Sequence, residues 1–183
     1  AFSLNPTRKT RFILGGSQGS VSINRELLKY AEAWTRDLPL QLLWQTGKNN
    51  FDWVKKSLKT TENIHLRPFI DEMGIAYSAS DFIICRAGAL TLAELEFVKK
   101  PAILIPLPSA AANHQYYNTK AFEKRNMAIV ITEDQFPQGT LDKTVRHLIE
   151  NPHILEEIKN NFPKKVLDGA EIIAKTILED LSL

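Results

Sequence analysis

The sequence predicts an α/β fold, one domain built on a parallel sheet of about six strands with helices on both faces. Three observations lead to this prediction. Short runs rich in leucine and β-branched residues alternate with stretches of helical periodicity. Glycine or proline stands at the ends of several of these runs, where the chain must turn. The 183 residues contain no internal repeat and no low-complexity segment, so one sizeable core is expected.

Six apolar runs are predicted to be strands because each is short and bounded by turn-forming residues. The first run ends at Gly15-Gly16, and the third stops before Pro68. Pro106 ends the fifth, since proline cannot continue the hydrogen bonding of a strand. The predicted strands are residues 11–14, 40–44, 64–66, 81–85, 102–105 and 128–131.

Helices are predicted between the strands, where apolar residues recur at helical spacing. In the first helix, Ile23, Leu27, Leu28 and Ala31 fall on one face. The irregular segment 106–113 follows a strand, at the edge where open α/β sheets bind ligands. The predicted helices are residues 22–34, 51–58, 70–79, 90–98, 114–124, 141–150, 152–161 and 170–181.

Composition narrows the classes of function. The net charge of +2 is too small to indicate nucleic-acid binding, which a basic patch or stripe usually marks. The single cysteine, Cys85, excludes a disulfide framework and is typical of a reducing compartment. No run is long and apolar enough to span a membrane, and residues 1–11 show no secretory signal. Any work at a membrane is therefore expected from its surface.

A glycine-rich turn, Gly15-Gly16-Ser17-Gln18-Gly19-Ser20, joins the first strand to the first helix. Glycines let the backbone approach a ligand closely, and the N–H groups of the following helix favour an anion such as a diphosphate. The alternative is a plain strand-to-helix turn in which glycine serves geometry alone. The turn has neither the Gly-Lys-Ser/Thr ending of a P-loop nor the usual spacing of the dinucleotide fingerprint.

A second turn of small residues follows the fourth strand, from Arg86 to Glu94. Glu94 lies one turn into the predicted helix, where a carboxylate can accept both hydroxyls of a ribose. The alternative is a solvated glutamate favoured by the helix dipole. For Arg86 we consider two roles, stabilising a diphosphate or pairing with a neighbouring helix end.

A third polar segment, Asn113 to Asn118, opens the helix after the proline-rich loop. Gln115 and Asn118 are three residues apart and share a helix face, and carboxamides suit the hydroxyls of a neutral sugar. Helix capping by Asn113 with ordinary surface polarity is the alternative. His114 stands near the proposed site without a Ser, Cys or carboxylate partner, so it is not assigned as a catalytic base.

The three segments occur in order at successive strand ends, as Gly-Gly-Ser-Gln-Gly, Arg-x-Gly-Ala-Leu-Thr-x-x-Glu and Asn-His-Gln-x-x-Asn. Together they resemble the MurG family, inverting transferases that move N-acetylglucosamine from UDP-N-acetylglucosamine to lipid I. The likeness runs from about residue 12 to the C-terminus. It implies the Rossmann-like, donor-binding C-terminal domain of a two-domain GT-B enzyme. Residues 1–10 would then be a linker or trimmed interdomain segment, and residues 11–183 the UDP-sugar-binding domain.

The resemblance also implies roles for individual residues. The glycine turn would cradle the diphosphate, and the backbone of Ile70 would recognise uracil. Residues 89–92 would line the nucleotide, Glu94 would hold the ribose, and Gln115 with Asn118 would contact the sugar. With Arg86, which we assign from its position rather than from the resemblance, the predicted substrate-binding residues are Gly16, Ser17, Gln18, Gly19, Ile70, Met73, Arg86, Ala89, Leu90, Thr91, Leu92, Glu94, Gln115 and Asn118.

Residues 5–8 resemble the family's Asn-Pro-x-Arg linker motif, whose arginine touches the donor. In the family, more residues separate that motif from the first strand. Residues 109–112 also depart from the charged or glutamine-rich loop of some members.

The family's general base and acceptor-binding loops belong to its N-terminal domain, so no catalytic residue is assigned in this chain. The implied partners are UDP-N-acetylglucosamine, the N-terminal acceptor-binding domain and, through that domain, lipid I. No cofactor, metal or nucleic acid is expected, because UDP-N-acetylglucosamine is a substrate and the helix start with Arg86 would stabilise the leaving diphosphate. The resemblance implies a cytoplasmic location at the inner face of the cell membrane.

Three functions remain open from the sequence. The first is the donor-binding half of a glycosyltransferase that converts lipid I to lipid II, inactive by itself. The second is a related UDP-sugar hydrolase or epimerase domain. The third is a non-catalytic nucleotide-sugar-binding subunit that docks a separate acceptor-binding partner.

Overall fold

The computed structural model describes residues 2–60, 62–108 and 114–163, with the side chain of His114 excepted. Six strands form one sheet in the order β3-β2-β1-β4-β5-β6, and every neighbouring pair is parallel. The predicted parallel sheet is thereby confirmed. The strands are β1 (Lys9–Leu14), β2 (Leu40–Gln45), β3 (Ile64–Arg67), β4 (Phe82–Arg86), β5 (Ala102–Ile105) and β6 (Ile129–Val130).

Helices connect the strands and cover both faces of the sheet. Two short 3₁₀ helices, Lys48–Asn50 and Glu133–Gln138, add to the connections. The predicted helix at 170–181 and the loop at 109–112 lie outside the described residues. Of the helices that are described, none has the length and apolarity to cross a bilayer. The α-helices are α1 (Val21–Leu28), α2 (Ala31–Asp37), α3 (Phe51–Ser57), α4 (Met73–Ala79), α5 (Ala89–Val98), α6 (His114–Lys124), α7 (Thr140–Glu150) and α8 (Pro152–Asn160).

The core consists of two apolar layers, one on each face of the sheet, because successive strand residues point to opposite faces. Ile13 packs into the layer beneath α1, α2, α3 and α7. Its neighbours Phe12 and Leu14 pack into the layer beneath α4, α5 and α6. Each strand is therefore apolar on both sides, as expected for a parallel sheet covered by helices.

The strand order reverses between β1 and β4, which are neighbours in the sheet although β2 and β3 come between them in sequence. Open α/β sheets leave a crevice at such a reversal, outside the carboxyl ends of the strands. The turns that follow β1 and β4 therefore face each other across this crevice.

One predicted helix, at 22–34, is two helices in the structure. The amides of Lys29 and Tyr30 donate to the carbonyls of Glu26 and Leu27, three residues back. This 3₁₀-type turn ends α1 before α2 begins. The periodicity of the apolar residues continues across the break, which is why the sequence indicates a single helix.

The predicted helix at 70–79 begins at Met73 instead. Ile70 is buried, and its amide donates to the side-chain oxygen of Gln45 at 2.9 Å. That contact fixes the backbone of Ile70 outside a helix. The other described helices and strands agree with the predicted bounds to within a few residues.

A buried asparagine anchors α1 to the sheet. The Asn24 amide donates to the Thr46 carbonyl at 2.9 Å, and its oxygen accepts from the Trp44 indole at 3.0 Å. All three residues are buried, so these hydrogen bonds hold the start of α1 beside the end of β2.

Candidate donor site

The glycine turn after β1 has a backbone that only glycine adopts readily. Gly16 and Gly19 have φ values of +89° and +74°, in the left-handed region. A Cβ on Gly19 would also lie 2.0 Å from the Thr46 carbonyl oxygen. The turn ends at Ser20, the N-cap of α1, whose hydroxyl accepts from the Ile23 amide at 3.4 Å. The first N–H groups of α1 consequently open beside the turn.

A cavity of about 570 Å³ lies at this point, over the carboxyl ends of β1, β4 and β5. A volume in this range is usual for a small-molecule site. None of the described residues that line it is acidic, whereas two are arginines. Such a lining favours an anionic ligand. The lining residues are Gly15, Gly16, Gly19, Ser20, Val21, Ser22, Arg25, Arg86, Gly88, Thr91, Leu107 and Gln115.

Arg86 extends from the end of β4 into the wall of the cavity and is only 8% exposed. One terminal nitrogen, Nη1, donates to the carbonyls of Ile105 and Pro106 at 3.3 and 3.1 Å. The other, Nη2, donates to the hydroxyls of Ser20 and Ser22 at 2.7 and 2.8 Å. Arg86 thus joins β4, the end of β5 and the start of α1.

Glu133 completes this network and was not identified from the sequence. Its carboxylate lies 2.5 Å from Arg86 Nη2 and accepts from the Ser22 hydroxyl at 2.6 Å. Glu133 opens the 3₁₀ helix after β6, 47 residues from Arg86 along the chain. Only the strand order, which places β6 and the end of β5 side by side, brings the two together. The charge of Arg86 is therefore compensated.

Gln115 is the predicted sugar-contacting residue that lines the cavity. Its side-chain oxygen accepts from the Leu107 amide at 3.0 Å, and among the described residues none accepts from its carboxamide N–H₂ group. Asn118 is half-buried on the same helix and does not line this cavity. Asn113 lies outside the described residues.

The first residues of α5 lie in three different surroundings: the cavity, the core and the surface. Thr91 lines the cavity, beside the N-cap Gly88. Leu92 is buried in the core, and its amide donates to the Gly88 carbonyl at 3.0 Å. Ala89 and Leu90 are exposed, and the side chain of Leu90 is 74% exposed.

Glu94 lies one turn further along α5, outside the lining of the cavity, and is half-buried. Its Oε2 accepts from the Tyr77 hydroxyl at 2.7 Å. Burial, with this hydrogen bond as a second cause, raises the pKa of Tyr77 far above its usual value. Burial and then the charge of Glu94 likewise raise the pKa of the Cys85 thiol. No other described residue donates to Glu94, so Oε1 remains as an acceptor for a ligand.

Ile70 and the glycine turn are tied together by one side chain. Gln45 is buried; its oxygen accepts from the Ile70 amide, and its nitrogen donates to the Gly16 carbonyl at 3.2 Å. Because the Ile70 amide already donates to Gln45, the Ile70 carbonyl is the backbone group that could contact a nucleobase. Met73 is half-buried at the first position of α4.

Ser17 and Gln18 form the exposed tip of the glycine turn. The Gln18 carbonyl accepts weakly from the Asn50 carboxamide at 3.4 Å, which links the tip to the segment after β2. Neither residue lines the cavity. Their predicted contact with a diphosphate would therefore be made by the backbone of the turn.

Arg8 lies at the opposite end of the sheet from the cavity. Its guanidinium donates to the carbonyls of Thr35, Leu38 and Leu40 at 2.5, 2.9 and 2.8 Å. These contacts place Arg8 where β1 begins, whereas the cavity lies where β1 ends. Arg8 is therefore not part of the lining of this cavity.

The described residues contain no group of three His, Cys, Asp or Glu side chains arranged to hold a metal ion. His65 lies on β3, and burial, followed by the charge of Arg67, lowers its pKa. It is remote from the cavity lining.

Comparison with known families gives one match over most of the chain. The model described as "Glycosyltransferase family 28 C-terminal domain" matches residues 10–173.

Curated relatives carry one and the same description, UDP-N-acetylglucosamine–N-acetylmuramyl-(pentapeptide) pyrophosphoryl-undecaprenol N-acetylglucosamine transferase. The relative from Finegoldia magna is 35% identical over 181 residues, which cover 98% of this chain and 48% of that protein. The relative from Chlorobium limicola is 37% identical over 154 residues, covering 84% and 42%. The chain thus spans about half the length of the curated relatives that it matches.

Solved structures agree with this result. The crystal structure of Acinetobacter baumannii MurG superimposes with a TM-score of 0.80 at 26% identity, covering 96% of this chain and 51% of that one. The UDP-GlcNAc 2-epimerase from Neisseria meningitidis, bound to UDP-GlcNAc, gives a TM-score of 0.67 at 15% identity, covering 96% and 45%. The second likeness is one of fold alone.

Proposed function

Because the chain belongs to the glycosyltransferase family 28 C-terminal domain, we propose that it binds UDP-N-acetylglucosamine as the donor half of an N-acetylglucosaminyltransferase. The observation that carries this proposal is the cavity itself. A glycine turn and the start of α1 form one wall, and Thr91 and Gln115 form another, without a described carboxylate in the lining. The relatives from Finegoldia magna and Chlorobium limicola are named as transferases that use this donor.

In this proposal the diphosphate lies against the glycine turn. Gly16 and Gly19 allow close approach of the backbone, with Ser17 and Gln18 at the tip, and the N–H groups of α1 point to the anion. Arg86 adds positive charge behind the helix start, most of it offset by Glu133. These groups are fixed before the ligand arrives, which is how preorganised dipoles stabilise a leaving group efficiently.

The nucleoside and the sugar occupy opposite sides of the diphosphate. Uracil lies near the Ile70 carbonyl and Met73, and the ribose hydroxyls donate to Glu94. Residues 89–92 follow the nucleotide with the N–H groups at the start of α5. The sugar lies toward Gln115, whose carboxamide donates to its hydroxyls, with Asn118 nearby. This arrangement leaves the anomeric carbon on the open side of the cavity, where an acceptor enters.

The whole enzyme would transfer N-acetylglucosamine to lipid I by in-line attack of an acceptor hydroxyl, with inversion and with UDP as the leaving group. The base that takes the hydroxyl proton and the acceptor contacts would come from an N-terminal domain. This chain by itself should therefore leave a lipid I analogue unchanged at saturating donor. Formation of a lipid II analogue by the chain alone would contradict that division of labour. We place the complete enzyme at the cytoplasmic face of the membrane.

Calorimetry tests donor binding. UDP-N-acetylglucosamine and UDP should both release heat at millimolar concentration, while ADP should bind at least about tenfold more weakly because the base contacts are lost. Equal binding of ADP, or no heat with either uridine ligand, would contradict the proposed function. An epimerase or hydrolase function is less well supported, because the likeness to the epimerase is confined to the fold.

A further inference from the structure

The two arginines that line the cavity differ in their surroundings. Arg86 is buried, and both terminal nitrogens of its guanidinium are already hydrogen bonded. Glu133 also neutralises its charge. Arg25 is exposed, and no carboxylate among the described residues pairs with it. Arg25 is therefore the cavity's source of uncompensated positive charge.

The position of Arg25 follows from the geometry of α1. Val21 is the first residue of the helix, and Arg25 lies four residues later, so the two side chains share one face. The opposite face carries Ile23 and Leu27 into the core. Val21 and Arg25 both line the cavity and are both exposed, so this face of α1 is directed toward the cavity.

We propose that Arg25 binds the diphosphate of the nucleotide sugar, reaching the anion from the exposed face of α1. This inference rests on the proposed donor function. An arginine offers a planar pair of N–H donors that matches two phosphate oxygens at once. Since Arg25 gives up no existing ion pair to make this contact, the cost of forming it is mainly side-chain ordering. Arg86 fixes the start of the helix, and Arg25 contacts the ligand.

The test compares Arg25→Gln with the unmodified chain, using UDP and uridine as probes. Arg25→Gln should lower the affinity for UDP by about tenfold at low ionic strength, and high salt should reduce that difference. Binding of uridine, followed by NMR titration because it is weak, should change less than about twofold, since uridine carries no phosphate. Arg25→Lys should recover part of the lost affinity, because the charge remains without the planar fork.

Arg36→Gln is the matched control. Arg36 is 72% exposed on α2, its ion pair among the described residues is with the adjacent Asp37, and it is not a lining residue of the cavity. The substitution makes the same change of charge and should leave UDP affinity unchanged.

Three results would overturn the inference while leaving the proposed donor function in place. Equal affinity of Arg25→Gln and the unmodified chain for UDP would show that Arg25 remains in solvent. Equal losses for UDP and uridine would show that the helix had moved, and a loss of the same size in Arg36→Gln would show a general charge effect. If the unmodified chain bound neither UDP nor UDP-N-acetylglucosamine, the proposed donor function would fail, and this inference with it.

Discussion

Arg86 and Glu133 form an ion pair with a separation of 2.5 Å between Nη2 and the carboxylate, and it joins the end of β4 to the 3₁₀ helix after β6. The hydroxyls of Ser20 and Ser22 accept hydrogen bonds from Arg86, and the Ser22 hydroxyl also donates to Glu133. These contacts fix the start of α1. The wall of the cavity is consequently held by contacts between residues far apart in sequence.

Glu133→Gln should lower the free energy of unfolding by roughly 1–2 kcal/mol, because the buried guanidinium of Arg86 loses its negatively charged partner and keeps only a hydrogen bond to an uncharged amide. Urea denaturation measures this change. Asp134→Asn is the control, since Asp134 is the exposed neighbour of Glu133 and is expected to shift stability by less than about 0.5 kcal/mol. Matching losses in the two variants would contradict a special role for the ion pair.

Glu94→Gln should weaken UDP binding by roughly 1–3 kcal/mol, the range for a charge-assisted hydrogen bond to a ribose hydroxyl. Tyr77→Phe should weaken it less, by about 0.5–1 kcal/mol, because the carboxylate loses the hydroxyl that orients it but keeps its charge. Calorimetry with UDP measures both. Unchanged affinity in Glu94→Gln, with thermal stability preserved, would contradict a contact with the ribose and leave Glu94 only its structural contact with Tyr77.

Gln115→Ala should separate recognition of the sugar from recognition of the nucleotide. Binding of UDP-N-acetylglucosamine should fall about tenfold through loss of the carboxamide donor, while UDP binding changes little. The same side chain accepts from the Leu107 amide, and Gln115→Glu provides a second variant that keeps this acceptor and removes the donor. Its added negative charge should weaken the binding of both ligands, and that of UDP-N-acetylglucosamine more than that of UDP. Equal losses for both ligands in both variants would show that Gln115 shapes the loop without touching the sugar.

Alkaline pH should destabilise the protein through Cys85. Burial, together with the charge of Glu94, raises the pKa of its thiol above the ordinary value of 9.0. The folded state therefore keeps a proton that the unfolded state releases, so the contribution is complete below pH 9 and is lost as the pH rises beyond it. Tyr77 acts in the same direction above its ordinary pKa of 10.0.

Urea denaturation between pH 7.5 and 10.5 tests this expectation. The unmodified chain should lose about 1.4 kcal/mol per pH unit for each such group once the pH passes its ordinary value. Cys85→Ala should be less stable near pH 7.5, because of the cavity left behind, but its stability should fall less steeply above pH 9, by the contribution of one titrating group. Parallel curves for the two proteins would show that the thiol does not titrate in this way.

Much of the fold could be predicted from the sequence because its signals are local. Apolar runs ending in glycine or proline mark the strands, and the Gly15–Ser20 turn marks the crevice, since glycine is required where φ is positive. The β1-to-α1 and β4-to-α5 turns then converge because parallel strands place their carboxyl ends at one edge.

What sequence could not predict depends on contacts between distant residues. In the sequence, Glu133 resembles any acidic residue near the start of a helix, and only the order of the strands brings it next to Arg86. In the sequence, Gln45 resembles a polar residue at the end of a strand, yet its side chain forms hydrogen bonds with the backbone of both Ile70 and Gly16. Arg25 lies in a helix that is predicted from the spacing of its apolar residues. That spacing does not show that the polar face of the helix borders the cavity.

NMR titration of the ¹⁵N-labelled chain with UDP-N-acetylglucosamine tests the central claim most directly, because it reports binding and location together. The amide signals of residues 15–22, of Gly88 and Thr91, and of Gln115 should shift together and saturate. Signals at the other end of the sheet, such as those of Arg8 and Asp81, should stay in place. Saturable shifts confined to that other end, or no shifts at about 5 mM ligand, a weak limit for a nucleotide-sugar site, would contradict it.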